Sequence, residues 1–292
     1  MELVLVKLGG SLITDKDKPY TPRREVITQL VEQVSLIKHE NPNLKLIIGN
    51  GAGSFAHQSA NKYNTINGFS CDEEKLGFCL VHQDALDLNF LLAQSFLQAG
   101  LPVVSLPPIT MTITHNKKLL KSDFSVIESS LQAGLIPLVF GDVVLDQAIG
   151  GTVFSTDAML AELAKSFYLQ GKFKVRLINV GNYAGVYDQD GQVVSNITQA
   201  NYSQIKPFLG KSKSVDVTGG MAKKVEEFLA ISSLGIDCWI IDGNIPGNLA
   251  SSVLGTPTLG TFSRPKTFAM PAVGVAIAHR KIPIKLIIAK KT

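Results

Sequence analysis

The sequence predicts an α/β fold built around a mainly parallel sheet. Two patterns carry that expectation: short apolar runs alternate with longer segments of helical periodicity, and glycines punctuate the strand ends. Composition is the third observation. With 45% hydrophobic and 18% charged residues among 292, the chain can bury a substantial core and is not a disordered protein.

The run Glu2-Leu-Val-Leu-Val-Lys-Leu8 stops at Gly9-Gly10 and reads as a buried strand. Over 23–39, Val26, Ile27, Leu30, Val31, Val34 and Ile37 fall on one helical face. A second strand over 44–48 ends in Gly49-Asn-Gly-Ala-Gly53. A long helix is expected over 72–99 and further strands over 103–105 and 136–140, with a hairpin within 109–120 and a helix over 124–132 between them. The second half repeats the style, with helices over 155–169, 219–234 and 245–254 and strands over 174–180 and 238–241. The quieter stretch 188–213 is the one seam between lobes, and after Gly255 the text becomes strand-like and ends in Lys290-Lys291.

Several function classes drop out. Lys and Arg exceed Asp and Glu by 28 to 24, and a scattered net +4 is no nucleic-acid footprint. No apolar run approaches the roughly 18 residues of a membrane helix, the longest candidate lying at 268–278. Glu2 and Lys7 interrupt the N-terminal apolar stretch, so no signal peptide is read. Cys71, Cys79 and Cys238 lack metal-ligand spacing and read as free thiols in a reducing cytoplasm.

Three glycine sites sit where an α/β sheet binds anions: Gly9-Gly10-Ser11, Gly49–Ser54 and Gly219-Gly220. The P-loop pattern is absent, and Ser54 spoils the dinucleotide fingerprint. Lysines accompany the glycines. Lys7 ends the first strand, where it either snorkels to water or meets a charge. Lys16 lies in the polar Asp15-Lys-Asp-Lys18, which alone reads as a solvated loop, and Lys224 follows Gly219-Gly220 by a turn. Phosphoryl transfer gives the three lysines one purpose, because positive charge must flank the moving group.

These residues in this order resemble the amino acid kinase superfamily, with the isopentenyl phosphate kinase branch nearest. The matching stretches are Val6-Lys-Leu-Gly-Gly-Ser-Leu-Ile-Thr-Asp-Lys16, Gly51-Ala-Gly-Ser-Phe-Ala-His57 with Ala60-Asn-Lys-Tyr63, and Gly141-Asp-Val143. Phe154-Ser-Thr-Asp157 and Asp216-Val-Thr-Gly-Gly-Met221 with Lys224 complete the set, which spans about residues 1–262. The resemblance implies a three-layer αβα sandwich around a central, mainly parallel sheet. It implies one continuous domain in which residues 1–180 take the phosphoryl acceptor and 181–292 take ATP with Mg2+. Lys7 and Lys224 would hold ATP phosphates, with backbone amides from Gly9, Gly10, Ser11, Gly53 and Gly220. Lys16 would stabilise the phosphoryl group in transfer, and Asp157 would position Lys7 and Lys224. Ala52, Gly53, His57 and Thr156 would bind the acceptor's phosphate; no metal ligand is assigned.

The implied activity is ATP-dependent phosphorylation of isopentenyl phosphate by a cytoplasmic enzyme of isoprenoid biosynthesis, acting as a homodimer. A kinase of another small phosphate or phosphonate, fosfomycin-kinase-like, and a non-catalytic nucleotide sensor are the alternatives. On residues alone, His57 also fits a capping or surface histidine and Asp157 a carboxylate on a helix dipole. His82 either enters the acceptor pocket or lies on a helix face. Leu76, Phe78 and Val81 would wall the acceptor's tail, with Gly77 leaving room between them. The chain departs from the family pattern at Ala52 within the glycine triplet and at Thr156-Asp157-Ala158. Phe140 stands in place of a histidine, and Gly181-Asn-Tyr-Ala-Gly185 in place of Thr-Asp-Val-Asp-Gly. The last change removes two carboxylates beside the nucleotide and predicts looser selectivity for its base.

Overall fold

Strand β1 (Glu2–Leu8) alternates its side chains between two cores, and that alternation sets the plan of the molecule. In the computed structural model, which describes residues 1–209, 220–256 and 258–264, Val4, Val6 and Leu8 enter one core and Leu3 and Leu5 the other. A strand buried on both faces needs helices above and below it, so its sequence is a continuous apolar run. The chain goes on through the single turn α1 (Gly10–Ile13), α2 (Arg24–Glu40), β2 (Lys45–Asn50), α3 (Gly53–Lys62) and the long α4 (Asp72–Gln98). Next come β3 (Val103–Ser105), β4 (Thr112–His115), β5 (Lys118–Ser122), α5 (Ser125–Gln132) and β6 (Ile136–Phe140). After β7 (Asp142–Asp146) and β8 (Gly150–Phe154) follow α6 (Thr156–Leu169), β9 (Lys174–Gly181) and α7 (Tyr202–Ile205). The described chain closes with α8 (Gly220–Ser233), β10 (Asp237–Asp242), α9 (Asn248–Leu254) and β11 (Gly260–Ser263).

Seven strands form one sheet in the order β11-β10-β9-β1-β2-β6-β3, parallel except for β11 against β10. Helices α1, α2, α4 and α9 cover one face and α5, α6 and α8 the other. This is the three-layer sandwich expected. The sheet runs unbroken across residue 180, which lies inside β9. Among the described residues no helix is long and apolar enough to cross a membrane.

The short α9 is held from outside at both ends. Gln33 of α2 accepts the amides of Leu249 and Ala250 through its side-chain oxygen. Arg176 of β9 donates to the carbonyls of Ser252 and Val253 and pairs with Glu2 at 2.9 Å. Its start is a correction to the sequence reading, which opened the helix at 245. Gly247 instead takes a left-handed turn at φ 78° and delays the helix to Asn248.

The β7–β8 hairpin was not anticipated. It joins β4 and β5 in a second sheet, order β5-β4-β7-β8. Gly150 and Gly151 lie in β8, where the rings of Phe69 and Phe78 fill the space that side chains would need.

Asp146 ties the second sheet together. Its carboxylate accepts the Thr114 hydroxyl and the amides of Asn116 and Lys117 in one turn, and of Ala148 and Ile149 in the next. Burial alone would raise its pKa; the amides and the hydroxyl outweigh burial and hold it at about 2. A depressed carboxylate stabilises the fold above its unfolded pKa of about 4 and stops doing so as pH falls through the folded value. Asp146→Asn is therefore expected to lower the thermal midpoint at neutral pH. The gap from wild type should close between about pH 4 and pH 2 in melting curves recorded across that window.

Candidate active site

The carboxyl edge of the central sheet carries the chemistry-bearing residues. Lys7, only 7% exposed, lies on the face of β1 that meets α6 and α8. A buried ammonium needs a counter-charge. Asp157, in the first turn of α6, supplies it, with Oδ2 at 2.5 Å from Lys7 Nζ. Asn179 of β9, in register with Lys7, donates to the other carboxylate oxygen at 3.2 Å. Lys7, Asp157, Asn179 and Glu227 of α8 line one small cavity with Leu160 and Phe228. Burial pushes the Glu227 carboxyl up and Asp157 adds to the shift, while Lys223, Lys7 and Lys224 pull against it.

The two glycine loops after β1 and β2 pack back to back. A Cβ on Gly10 would stand 2.4 Å from the Gly53 amide nitrogen, and one on Gly51 would stand 2.7 Å from that of Gly10. Gly53 opens α3 at φ +54°, where a Cβ would strike Thr14 Oγ1 at 2.3 Å. That hydroxyl bridges the loops, donating to the Gly10 carbonyl and accepting the Ser54 amide. Gly9 donates its amide to Val180 at the end of β9. Ser11 reaches Asn182 at 3.4 Å. Ala52 packs its methyl against the cluster of Ala56, Phe78, Val81 and Phe140, so the departure from a glycine triplet is absorbed by packing.

Lys16 is exposed in the turn between α1 and α2. Tyr20 pins that turn over α3: its amide donates to Ser54, its ring meets Phe55 edge-on at 5.6 Å, and its hydroxyl reaches Asp84 of α4 at 3.0 Å. His57 is exposed one turn into α3. Thr156 is buried at the start of α6, donating its hydroxyl to the Asn50 carbonyl, which also accepts the Gly141 amide. Asn89 of α4 reaches the Asn50 side chain, fixing α4 against the same edge.

Lys224 sits one turn into α8 with Nζ 5.1 Å over the Tyr183 ring and 3.4 Å from its hydroxyl. Asp157 meets Lys7 and Asn179. Gly220 opens α8; residues 216–219 of its motif, like the extension from 265 onward, lie outside the described residues.

Two features correct the expected tail pocket. Leu76 is 59% exposed and does not share the face of Phe78 and Val81. Gly77 makes room for the Tyr63 ring, 2.4 Å from its Cβ position, rather than for a ligand. The site also contains residues not singled out from sequence. Asn179 left a signal, a polar residue inside an apolar strand; Tyr183 stood only within the altered loop 181–185, and Glu227 left none.

The model of the amino acid kinase family matches residues 2–242. The isopentenyl phosphate kinase of Methanothermobacter thermautotrophicus is 30% identical over 276 residues, covering 89% of this chain and 98% of that protein. That of Methanocaldococcus jannaschii is 27% identical, covering 87% and 95%. A solved isopentenyl phosphate kinase superposes with TM-score 0.74 at 27% identity, covering 89% of this chain and 100% of the other. With the family model spanning most of the sequence and the fold and edge geometry agreeing with it, the chain belongs to the amino acid kinase family.

Proposed function

We propose that this protein transfers the γ-phosphoryl group of ATP to isopentenyl phosphate, giving isopentenyl diphosphate. The buried Lys7–Asp157 pair beside two interlocked glycine loops is the observation that carries the reading. The loops leave space only for backbone, which suits close approach by phosphate oxygens. Lys7 meets the ATP phosphates from within the sheet, held by Asp157; Lys224 and the amides of Gly9, Gly10, Ser11, Gly53 and Gly220 share that task. Lys16, on the pinned outer turn, neutralises the phosphoryl group as it moves. The acceptor's phosphate is held by His57 and the amides of Ala52, Gly53 and Thr156. Its own oxygen is the nucleophile, so alignment and charge suffice and no strong base is needed.

Among the described residues no cluster of three or more His, Cys, Asp or Glu side chains forms a metal cage. Mg2+ enters with ATP as the ATP·Mg substrate, carried on its phosphates. Residues 1–180 serve the acceptor and the remainder the nucleotide. Leu76, Leu80, Phe90 and Leu97 project exposed along one stripe of α4, and a homodimer packed across that helix covers them.

ATP consumption with isopentenyl phosphate, dimethylallyl phosphate, fosfomycin, UMP and N-acetylglutamate tests the activity. Turnover should be highest with isopentenyl phosphate, and a clear preference for any of the last three refutes the assignment. Lys16→Ala should lower kcat by about 10²–10³ with a far smaller change in KM for ATP. Near-normal turnover returns Lys16 to the solvated loop. Phe78→Ala should shift kcat/KM toward longer tails such as geranyl phosphate, each buried CH₂ contributing about 0.8 kcal/mol. His57→Ala should weaken every phosphate acceptor alike. Equal losses for all tails in Phe78→Ala place that ring in the core alone.

A further inference from the structure

Helix α4 aims two polar side chains, seven residues apart and so on one face, at the carboxyl edge of the sheet. Asn89 meets Asn50 at the end of β2. Two turns earlier His82 meets Asp142, the first residue of β7, with Nδ1 at 2.9 Å and 3.0 Å from the two carboxylate oxygens. Asp142 is fully buried and also accepts the Val143 amide. It follows Gly141, whose Cβ position lies 2.9 Å from Thr156 Oγ1 and 3.3 Å from the Thr156 amide nitrogen. The His82 ring is 27% exposed. With Nδ1 committed to Asp142, Nε2 is the polar atom left to a ligand. Phe140, before Gly141, is wholly buried and brings no polar group to this corner.

Building on the proposed function, we infer that His82, clamped by Asp142, is a second binding residue for the acceptor's phosphate, donating from Nε2 on the α4 side of the site. Its neighbour Val81 and Ala56, the neighbour of His57, belong to one apolar cluster, so α3 and α4 pack together beside this corner. The hydrogen bond from Asp142 raises the His82 pKa above its ordinary value, burial works against the rise, and the Asp142 charge supports it. Burial pushes the Asp142 carboxyl up in turn, and His82 pulls it down. Elements packed against α4 also carry His57 and Lys62 on α3, Asp146 on β7, Tyr20 of the Lys16 turn, and Arg24, Glu25, Glu32, Lys38, His39 and Glu40 on α2, none of which shifts His82. Cys79, Asp84 and Asp87 lie on α4 itself. Tyr20 bonds Asp84 and Asp146 is saturated by its own turns, so Asp142 sets the charge of His82.

The test is steady-state kinetics on the full chain with isopentenyl phosphate from about pH 6 to pH 9, a range bracketing an imidazole's titration. His82→Gln should raise KM for isopentenyl phosphate about tenfold or more, the loss of a charged hydrogen bond, with KM for ATP unmoved. In wild type, KM for isopentenyl phosphate should climb as pH passes the raised His82 pKa. The climb should vanish in His82→Gln and begin at lower pH in Asp142→Asn. A merely structural pair moves stability and not this limb.

If either variant fails to fold, the His82 ring resonance of wild type is titrated instead, assigned by substituting the four other histidines. Saturating isopentenyl phosphate should raise its pKa, and an unmoved pKa overturns the inference. Normal wild-type turnover with an unchanged KM and pH limb in His82→Gln also overturns it, leaving the activity standing. Absence of wild-type turnover with isopentenyl phosphate overturns the activity itself.

Discussion

An ammonium group buried at the edge of a parallel sheet is the constraint on which the rest of this structure turns. Lys7 occupies a strand whose other inner residues are apolar, and removing its charge from water costs several kcal/mol unless the charge is matched. Asp157 matches it at 2.5 Å, and Asn179 holds the second oxygen of Asp157. That requirement brings the start of α6, the end of β9 and the inner face of α8 to one point. The same point is where a phosphate chain needs charge, so the electrostatic demand of folding and that of phosphoryl transfer are met by one pair.

Steric exclusion does the complementary task. Gly10, Gly51 and Gly53 leave no room for side chains because each loop occupies the space of the other. Thr14 closes the gap with one hydroxyl. Two helix starts are thereby locked side by side with their amides at the carboxyl edge, where partial positive charge accumulates. Ala52 is tolerated within this lock because its methyl turns into the apolar cluster beneath α3 and α4.

The loop after β9 shows how one substitution permits another. Gly181 has no Cβ, and the Tyr183 ring takes that space at 2.4 Å. The ring then lies under Lys224, whose ammonium gains a π-face and a phenol oxygen where the family pattern has carboxylates nearby.

Much of the layered fold was legible in the sequence, since periodicity is local: 3.6 for α2, α4 and α6, and mainly apolar runs for β1 and β9. Lys7 and the glycine loops were legible too, because a charge in an apolar strand and paired glycines break local rules, whereas Asp157 was legible only through the family resemblance. The β7–β8 hairpin was not, since its glycines make sense only against Phe69 and Phe78 from another segment. Nor were the partners of the singled-out residues: Asn179 for Asp157, Tyr183 for Lys224 and Asp142 for His82. By itself the sequence determined which segments are strands and helices and which residues carry charge to the sheet edge, because those properties reside in neighbours along the chain. Only the tertiary structure decided who meets whom there, because desolvation is offset between residues 22 to 150 positions apart, a distance over which local pattern carries no information.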